Sequence, residues 1–271
     1  FKEYRDVKKS FLNSLPKNSI VLINVDDKNG LYMTQNTKAK VFKYALKSSA
    51  DFSLKILEKD FNGMKLMING SEVWSKLIGE FNAYNILATY SLSRVLNYKD
   101  ELILAKISSL VPVDGRFEKI TYKNNIGVID YAHSPDSVQK ILETLNDLKK
   151  NKEDLITVIG CGGDRDKAKR PLMGKIAAIL SDKVIFTSDN PRFEDPKSII
   201  DQMELGVNDN DLNKVLKIID RKEAIEYACQ IAKENDIILI AGKGHEKYQI
   251  KGSIKEKFDD KKILIKSLKI K

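Results

Sequence analysis

Leu155-Ile156-Thr157-Val158-Ile159-Gly160-Cys161-Gly162-Gly163-Asp164-Arg165-Asp166 is an apolar run of five residues followed by a loop of three glycines and an arginine. A short, β-branched run bounded by glycines reads as a strand buried on both faces. The same rhythm of strand, loop and helix recurs on either side of it. Further apolar strands are predicted at 127–131, 183–187, 215–219 and 237–241, with helices at 135–148, 172–180, 197–205 and 221–233. Such alternation predicts a mostly parallel, doubly wound sheet with helices on both faces. Polar or glycine-rich loops follow four of the strands: Ala132-His133-Ser134-Pro135, Cys161-Gly162-Gly163-Asp164-Arg165, Ser188-Asp189-Asn190-Pro191-Arg192 and Gly242-Lys243-Gly244-His245-Glu246. In open α/β sheets ligands bind at the carboxyl ends of the strands, so these loops are the candidate site.

The pattern before residue 112 is different. A helical stretch over 3–15 is stopped by Pro16, a strand follows at 20–24, and Asn29-Gly30 signals a turn. Alternating runs from 41 to 77 are broken by Asn62-Gly63 and Asn69-Gly70, the dipeptides of tight hairpins. Two helices are expected at 82–96 and 99–110. Val111-Pro112-Val113-Asp114-Gly115-Arg116 is a hinge. The expected class is α/β in two parts, 1–111 and 112–271, the second Rossmann-like.

With 42% hydrophobic and 31% charged residues, the 271-residue chain reads as globular. No apolar run approaches the roughly 18–20 residues that cross a bilayer, so no membrane span is expected. The formal charge of +9 comes from lysines interleaved with Asp and Glu. Without a strip of basic and aromatic residues, this pattern argues for a solvated surface with anion sites and against nucleic-acid binding. Cys161 and Cys229 have no metal spacing, which fits a reducing, cytoplasmic setting. The chain opens on Phe1 in the middle of an amphipathic pattern, and a fragment is expected.

Each loop has a chemical reading and a plainer one. Three glycines around Cys161 let backbone N–H groups approach an anion, and Arg165 adds a fork suited to a carboxylate; a tight turn would use the same glycines. Pro191 fixes the chain, Asn190 offers an amide and Arg192 a second guanidinium; two arginines on neighbouring loops suit a zwitterionic ligand with more than one carboxylate, although a turn with a surface arginine is equally open. The stretch 242–246 lacks the spacing of a Walker A loop, and Glu246 reads better as a carboxylate receiving an ammonium. His133 and His245 are the only histidines, and neither has zinc-ligand spacing. His133 follows a strand end near Asp130 and is placed near phosphate. Asn82 and Asn85 lie three apart on one helix face, where amides could read an adenine edge or cap the helix. No GxGxxG follows the first strand of a βαβ unit, which weighs against a dinucleotide oxidoreductase.

In order, GEFNAYN at 79–85, VDGRFE at 113–118, VIDYAHSPDSV at 128–138, GCGGDRDKAKRPLMG at 160–174, DNPRFEDP at 189–196 and AGKGHEKYQI at 241–250 closely resemble the Mur ligase family, in particular its tripeptide-forming members. The resemblance implies an ATP-dependent amide ligase of peptidoglycan synthesis, in which an acyl phosphate on UDP-MurNAc-L-Ala-D-Glu is attacked by the amine of the next amino acid. It implies that 1–111 is the later part of a central P-loop-type ATPase domain and 112–271 the amino-acid domain. No GTNGKT-type phosphate loop is present, so the chain is expected to be inactive alone. By position, Asn82 and Asn85 would face adenine, Arg116 the nucleotide phosphates and Asp130 the ribose. Lys8 would be carbamylated and linked to Mg2+, with Lys9 beside it as a competing register. Arg165, Asp189, Asn190, Arg192, Gly242 and Glu246 would hold the amino acid. Arg192 favours meso-diaminopimelate over lysine, which has no second carboxylate to bind. A monomer is the family's expectation. A lysine-adding or folylpolyglutamate-type ligase and a non-catalytic binding module remain open at this point.

Overall fold

A computed structural model of the chain describes residues 2–149 and 152–270. It comprises two compact units, Phe1–Val111 and Pro112–Lys271.

The first unit begins with α1 (Lys2–Ser14), β1 (Ile20–Asn24) and α2 (Gly30–Thr34), and continues through β2 (Lys40–Ala45), β3 (Phe52–Asp60), β4 (Gly63–Ile68), β5 (Ser71–Ser75), α3 (Glu80–Val95) and α4 (Asp100–Ser109). Its strands form one five-stranded sheet in chain order, parallel across β1, β2 and β3 and antiparallel across β3, β4 and β5. Between β4 and β5, Asn69 and Gly70 both adopt positive φ (45° and 89°), the twist a two-residue hairpin requires. The turn expected at Asn29-Gly30 instead opens α2. Leu54, Leu66, Ile68, Ile86, Leu87, Tyr90 and Ile107 form the core between this sheet and α3 and α4.

Asp26 joins the carboxyl end of β1 to this unit's other layers. Its Oδ2 accepts from Leu46 N (2.7 Å), Lys47 N (2.9 Å) and the Tyr84 hydroxyl (2.8 Å), while Oδ1 accepts from Ser48 N (2.9 Å). Burial opposes its ionisation, but hydrogen bonds from Ser48, Lys47, Tyr84 and Leu46 outweigh it and hold the carboxyl at about 2.

The second unit contains β6 (Glu118–Tyr122), β7 (Asn125–Asp130), α5 (Pro135–Leu148), β8 (Leu155–Ile159), α6 (Lys169–Leu180), β9 (Lys183–Phe186), α7 (Pro196–Glu204), a 3-10 turn (Asp209–Lys214), β10 (Val215–Lys217), α8 (Arg221–Ile231), β11 (Ile237–Ala241), β12 (Tyr248–Lys251), β13 (Ile254–Lys257) and α9 (Asp260–Ile270). The main sheet has the order β10-β9-β8-β11-β7-β6. All its pairings are parallel except β6 with β7. The chain steps outward from β8 to β10 and then returns to place β11 between β7 and β8. Right-handed crossovers therefore put α5, α6 and α7 on one face and α8 on the other. On the α8 and α9 face, Ile156, Val158, Ile238 and Ile240 pack against Ile225, Ala228 and Leu264. The alternate residues Leu155, Ile159 and Leu239 are also fully buried, so both faces are covered.

Helix starts are specified locally. Ser134 caps α5 in a reciprocal capping box with Ser137, Asp195 caps α7 ahead of Pro196, and Asp220 caps α8. The β6 edge strand, the β12-β13 hairpin and α9 are absent from the reading of the sequence, because their short or lysine-rich segments carry little periodic signal. α9 is held in place by Asp260, which takes Arg221 Nε (2.9 Å) and Nη2 (2.8 Å) in a fork; both side chains are fully buried.

The depressed Asp26 pKa predicts a pH-dependent contribution to the first unit. The stabilisation is complete above the ordinary carboxylate value of 3.8 and is lost as pH falls through about 2. Asp26→Asn should lower stability at pH 7 by about 1–3 kcal/mol, and the gap from wild type should close between pH 4 and 2. Urea titration followed by the fluorescence of Trp74, the single tryptophan, measures this.

Candidate functional site

Strand register defines the site. Ala241 pairs with Asp130 on one side and Ile159 on the other, and Ile159 pairs with Phe186. Four strands therefore end at one level, and the loops beginning at Tyr131, Gly160, Thr187 and Gly242 emerge side by side.

Close backbone approach joins the loops. Gly163 N donates to Asn190 O (2.9 Å), and a Cβ at Gly163 would lie 1.9 Å from Pro191 O. At Gly242 (φ 115°) a Cβ would lie 2.7 Å from the Asp189 Oδ2. Only glycine fits either position. Beneath these loops Arg170, with no side-chain exposure, grips Glu194 through two bonds of 2.8 Å and donates to Gly162 O (3.2 Å). Arg170 holds the Glu194 carboxyl down at about 2. Glu194 also accepts from Asp164 N, and Asp164 Oδ2 accepts from Phe193 N (3.2 Å).

Arg192 sits in the left-handed region (φ 51°), pinned through Ile250 O (3.1 Å) and Gly252 N (2.7 Å) to the β12-β13 hairpin. Its Nη1 donates to Gly163 O (2.7 Å). Among the described residues, Nε and Nη2 make no hydrogen bond, so the edge of the guanidinium that can fork a carboxylate is available. A cleft of about 260 Å³ opens beside it, lined also by Ser188, Pro191, Arg221, Gln249 and Lys251. Arg165 is exposed on the neighbouring loop.

Asn190 and Glu246 meet directly, Nδ2 donating to Oε2 (2.9 Å). Lys243, with 0% exposure, donates from Nζ to Asn190 Oδ1 (3.0 Å) and Glu246 Oε2 (3.2 Å). Asp189 is buried behind them. Desolvation raises its pKa, against the pull of Arg221 and Lys243.

The structure thus brings Asp189, Asn190, Arg192, Gly242 and Glu246 together, with Arg165 on the adjoining loop. Lys243, Arg170 and Arg221 escaped the sequence reading, because nothing in a local pattern marks a lysine or arginine as buried. Cys161 is buried against Met173 (3.6 Å), and burial pushes its thiol up to about 12, so it is inert.

Two family models match the chain: Mur ligase middle domain over residues 1–93 and Mur ligase, glutamate ligase domain over residues 115–244. The chain belongs to the Mur ligase family. A UDP-N-acetylmuramoyl-L-alanyl-D-glutamate--2,6-diaminopimelate ligase of Phocaeicola vulgatus is 51% identical over 262 residues, covering 96% of this chain and 54% of that relative. The ligase of the same description from Geobacillus kaustophilus is 42% identical over 247 residues, 89% of this chain and 50% of the relative. The chain spans about half the length of these relatives. A solved structure of a ligase so described is 32% identical, with a TM-score of 0.61 over 99% of this chain and 56% of that one. The MurF ligase from Thermotoga maritima in complex with ADP, 16% identical over 99% of this chain and 57% of its own, has a TM-score of 0.70 and shares the fold.

The residues that the sequence resemblance assigns to a nucleotide site are placed as follows. In the first unit, Asn82 donates from Nδ2 to Ile78 O (2.8 Å) and accepts from Asn85 Nδ2 (3.4 Å), so both lie on one face of α3. The cap of α3 is Gly79, with no side-chain bond. On α1, Lys8 is exposed with Nζ over the Tyr4 ring (4.5 Å), whereas Lys9 is buried and donates to Gln35 Oε1 (2.9 Å). The two competing registers are thus physically distinct, one lysine open to chemistry and the other structural.

In the second unit, Asp130 accepts from Phe117 N (2.8 Å) and Ala132 N (2.8 Å), fastening the segment before β6 to the end of β7; burial raises its pKa against these bonds. Arg116 lies over the Tyr131 ring (4.7 Å), and both histidines flank that ring, His133 at 4.6 Å and His245 at 5.2 Å. His133 Nδ1 contacts Tyr131 O (2.7 Å); a neutral ring donating there leaves Nε2 as an acceptor. No group of three His, Cys, Asp or Glu among the described residues could hold a metal ion, and no helix among them is long and apolar enough to cross a membrane.

Gly163→Ala should force the two arginine loops apart. Overpacking of this kind costs about 1–3 kcal/mol, and hydrogen exchange should rise in peptides covering 160–165 and 189–194 while β11 stays protected. Unchanged exchange in those peptides would contradict the close approach.

Proposed function

We propose that this chain carries the amino-acid site and part of the nucleotide site of a ligase that adds meso-diaminopimelate to UDP-MurNAc-L-Ala-D-Glu in the cytoplasm, during peptidoglycan synthesis. The observation that carries this reading is the free Nε and Nη2 edge of Arg192, held beside Asn190 and Glu246. A diamino dicarboxylic acid matches that arrangement. Its distal carboxylate is taken by the Arg192 fork, with Arg165 near, and its distal ammonium by Glu246 with Asp189 and the wall at Gly242 behind. Lysine would leave the arginine edge without a partner, which is the discriminating cost. The descriptions of the relatives as diaminopimelate ligases support the same choice.

In this reading ATP converts the D-glutamate side-chain carboxylate into an acyl phosphate, a better leaving group, and the amine of the incoming amino acid attacks it. The pocket's part is to hold the far end of the amino acid so that its reacting amine is presented in one orientation. Asn82 and Asn85 face the adenine, Arg116 the phosphates and Asp130 the ribose, with His133 beside the phosphates as a polar contact. An ammonium at Lys8 would repel Mg2+; as a carbamate it becomes an anionic ligand, and the metal would neutralise phosphate charge. The complete reaction also needs a phosphate loop, and residues 1–271 do not contain one.

Arg192→Ala, in a full-length enzyme containing this chain, should raise KM for meso-diaminopimelate by about thirtyfold to a thousandfold or more, the equivalent of losing about 2–5 kcal/mol of charge-assisted binding. KM for ATP should change little. A substrate panel scored by phosphate release should rank meso-diaminopimelate above lysine and glutamate. Equal KM values for wild type and variant would sink the assignment.

A further inference from the structure

Lys243 is the one fully buried lysine among the described residues, and it has no role in the proposed function. Its ammonium bridges Asn190 Oδ1 (3.0 Å) and Glu246 Oε2 (3.2 Å), the two side chains expected to touch the amino acid. Asn190 Oδ1 also accepts from Ile250 N (3.0 Å), and Asn190 Nδ2 donates to Glu246 Oε2 (2.9 Å). These contacts permit only one amide orientation. A flipped Asn190 would aim NH2 at an ammonium and a backbone N–H, and its oxygen at a carboxylate. Neither contact uses Glu246 Oε1, the Tyr248 hydroxyl also hydrogen-bonds to the Glu246 carboxylate, and one N–H of Asn190 Nδ2 has no partner among the described residues.

The local charge has the same sense. Asp189, Glu246 and Asp260 are gathered around the buried cations Arg221 and Lys243, and Lys243 is the one that contacts Glu246. Without Lys243, Glu246 loses the buried cation that contacts it, and its carboxylate is less firmly placed.

We infer that Lys243 is the positioning residue of the amino-acid pocket: it locks the Asn190 amide and one lobe of Glu246, so that the pocket presents an N–H donor and a carboxylate acceptor in a fixed arrangement to the zwitterionic end of a diamino acid. It touches neither the amine that reacts nor the nucleotide. This inference rests on the proposed amino-acid site.

The test uses the full-length enzyme containing this chain. Lys243→Met should raise KM for meso-diaminopimelate by about a hundredfold, with KM for ATP within about threefold. Lys243→Gln, which keeps donors near both partners and lowers the risk of misfolding, should recover most of the loss. In a Glu246→Gln background, Lys243→Met should add little, because the partner it holds is already neutral. The inference is overturned if Lys243→Met leaves the diamino-acid KM unchanged, raises both KM values alike, or multiplies fully with Glu246→Gln. A wild-type enzyme that does not use meso-diaminopimelate would instead overturn the functional reading itself.

Discussion

Parallel hydrogen bonding holds Asp130, Ala241, Ile159 and Phe186 side by side at the ends of β7, β11, β8 and β9. Every functional feature of the second unit depends on that alignment. A one-residue slip of β11 would move Gly242 away from Asp189 and Lys243 away from Asn190, and would turn the alternate faces of the strand over. Both faces of β11 are buried between neighbours, so such a slip would exchange Ile238 and Ile240 for Ile237, Leu239 and Ala241 against α8 and α9 and break the packing on both faces. The hydrophobic layers thus set the geometry of a polar site they do not touch.

Above that level, each loop is held by charge buried under it. Arg170 clamps Glu194 beneath the two arginine loops, Lys243 joins Asn190 to Glu246, and Arg221 ties α8 to α9 and to the Ala241 carbonyl (3.0 Å). Buried ion pairs contribute little net stability when compared with apolar packing, but losing one partner is costly. Here they hold flexible loop backbone in place, including Arg192 in a conformation that few non-glycine residues adopt. The exposed partners, Arg165 and the free edge of Arg192, rest on this scaffold of paired charges.

Much of the fold was legible in the chain itself. The five parallel strands, four of the helices behind them and the Asn69-Gly70 turn each carry local signals: unbroken β-branched runs, capping residues and dipeptides suited to positive φ. The β6 strand, the β12-β13 hairpin and α9 do not. Their sequences are short, rich in lysine and weakly periodic, and they are ordered only by packing on the larger sheet. Candidate site residues such as Asn190, Arg192 and Glu246 could be named because glycines and a proline mark their loops.

The sequence by itself determined that chemistry would gather on one edge of a parallel sheet, because apolar runs and glycine-rich loops alternate with a period only that architecture satisfies. It also set which polar side chains stand on each loop. Tertiary structure alone decided which of them are buried and which are paired. Burial of a lysine depends on atoms more than fifty residues away, and no local pattern records that distance. Lys243 and Lys8 have the same side chain in the sequence; one is sealed between Asn190 and Glu246 and the other is open on α1, because desolvation and partner geometry are properties of the assembled fold.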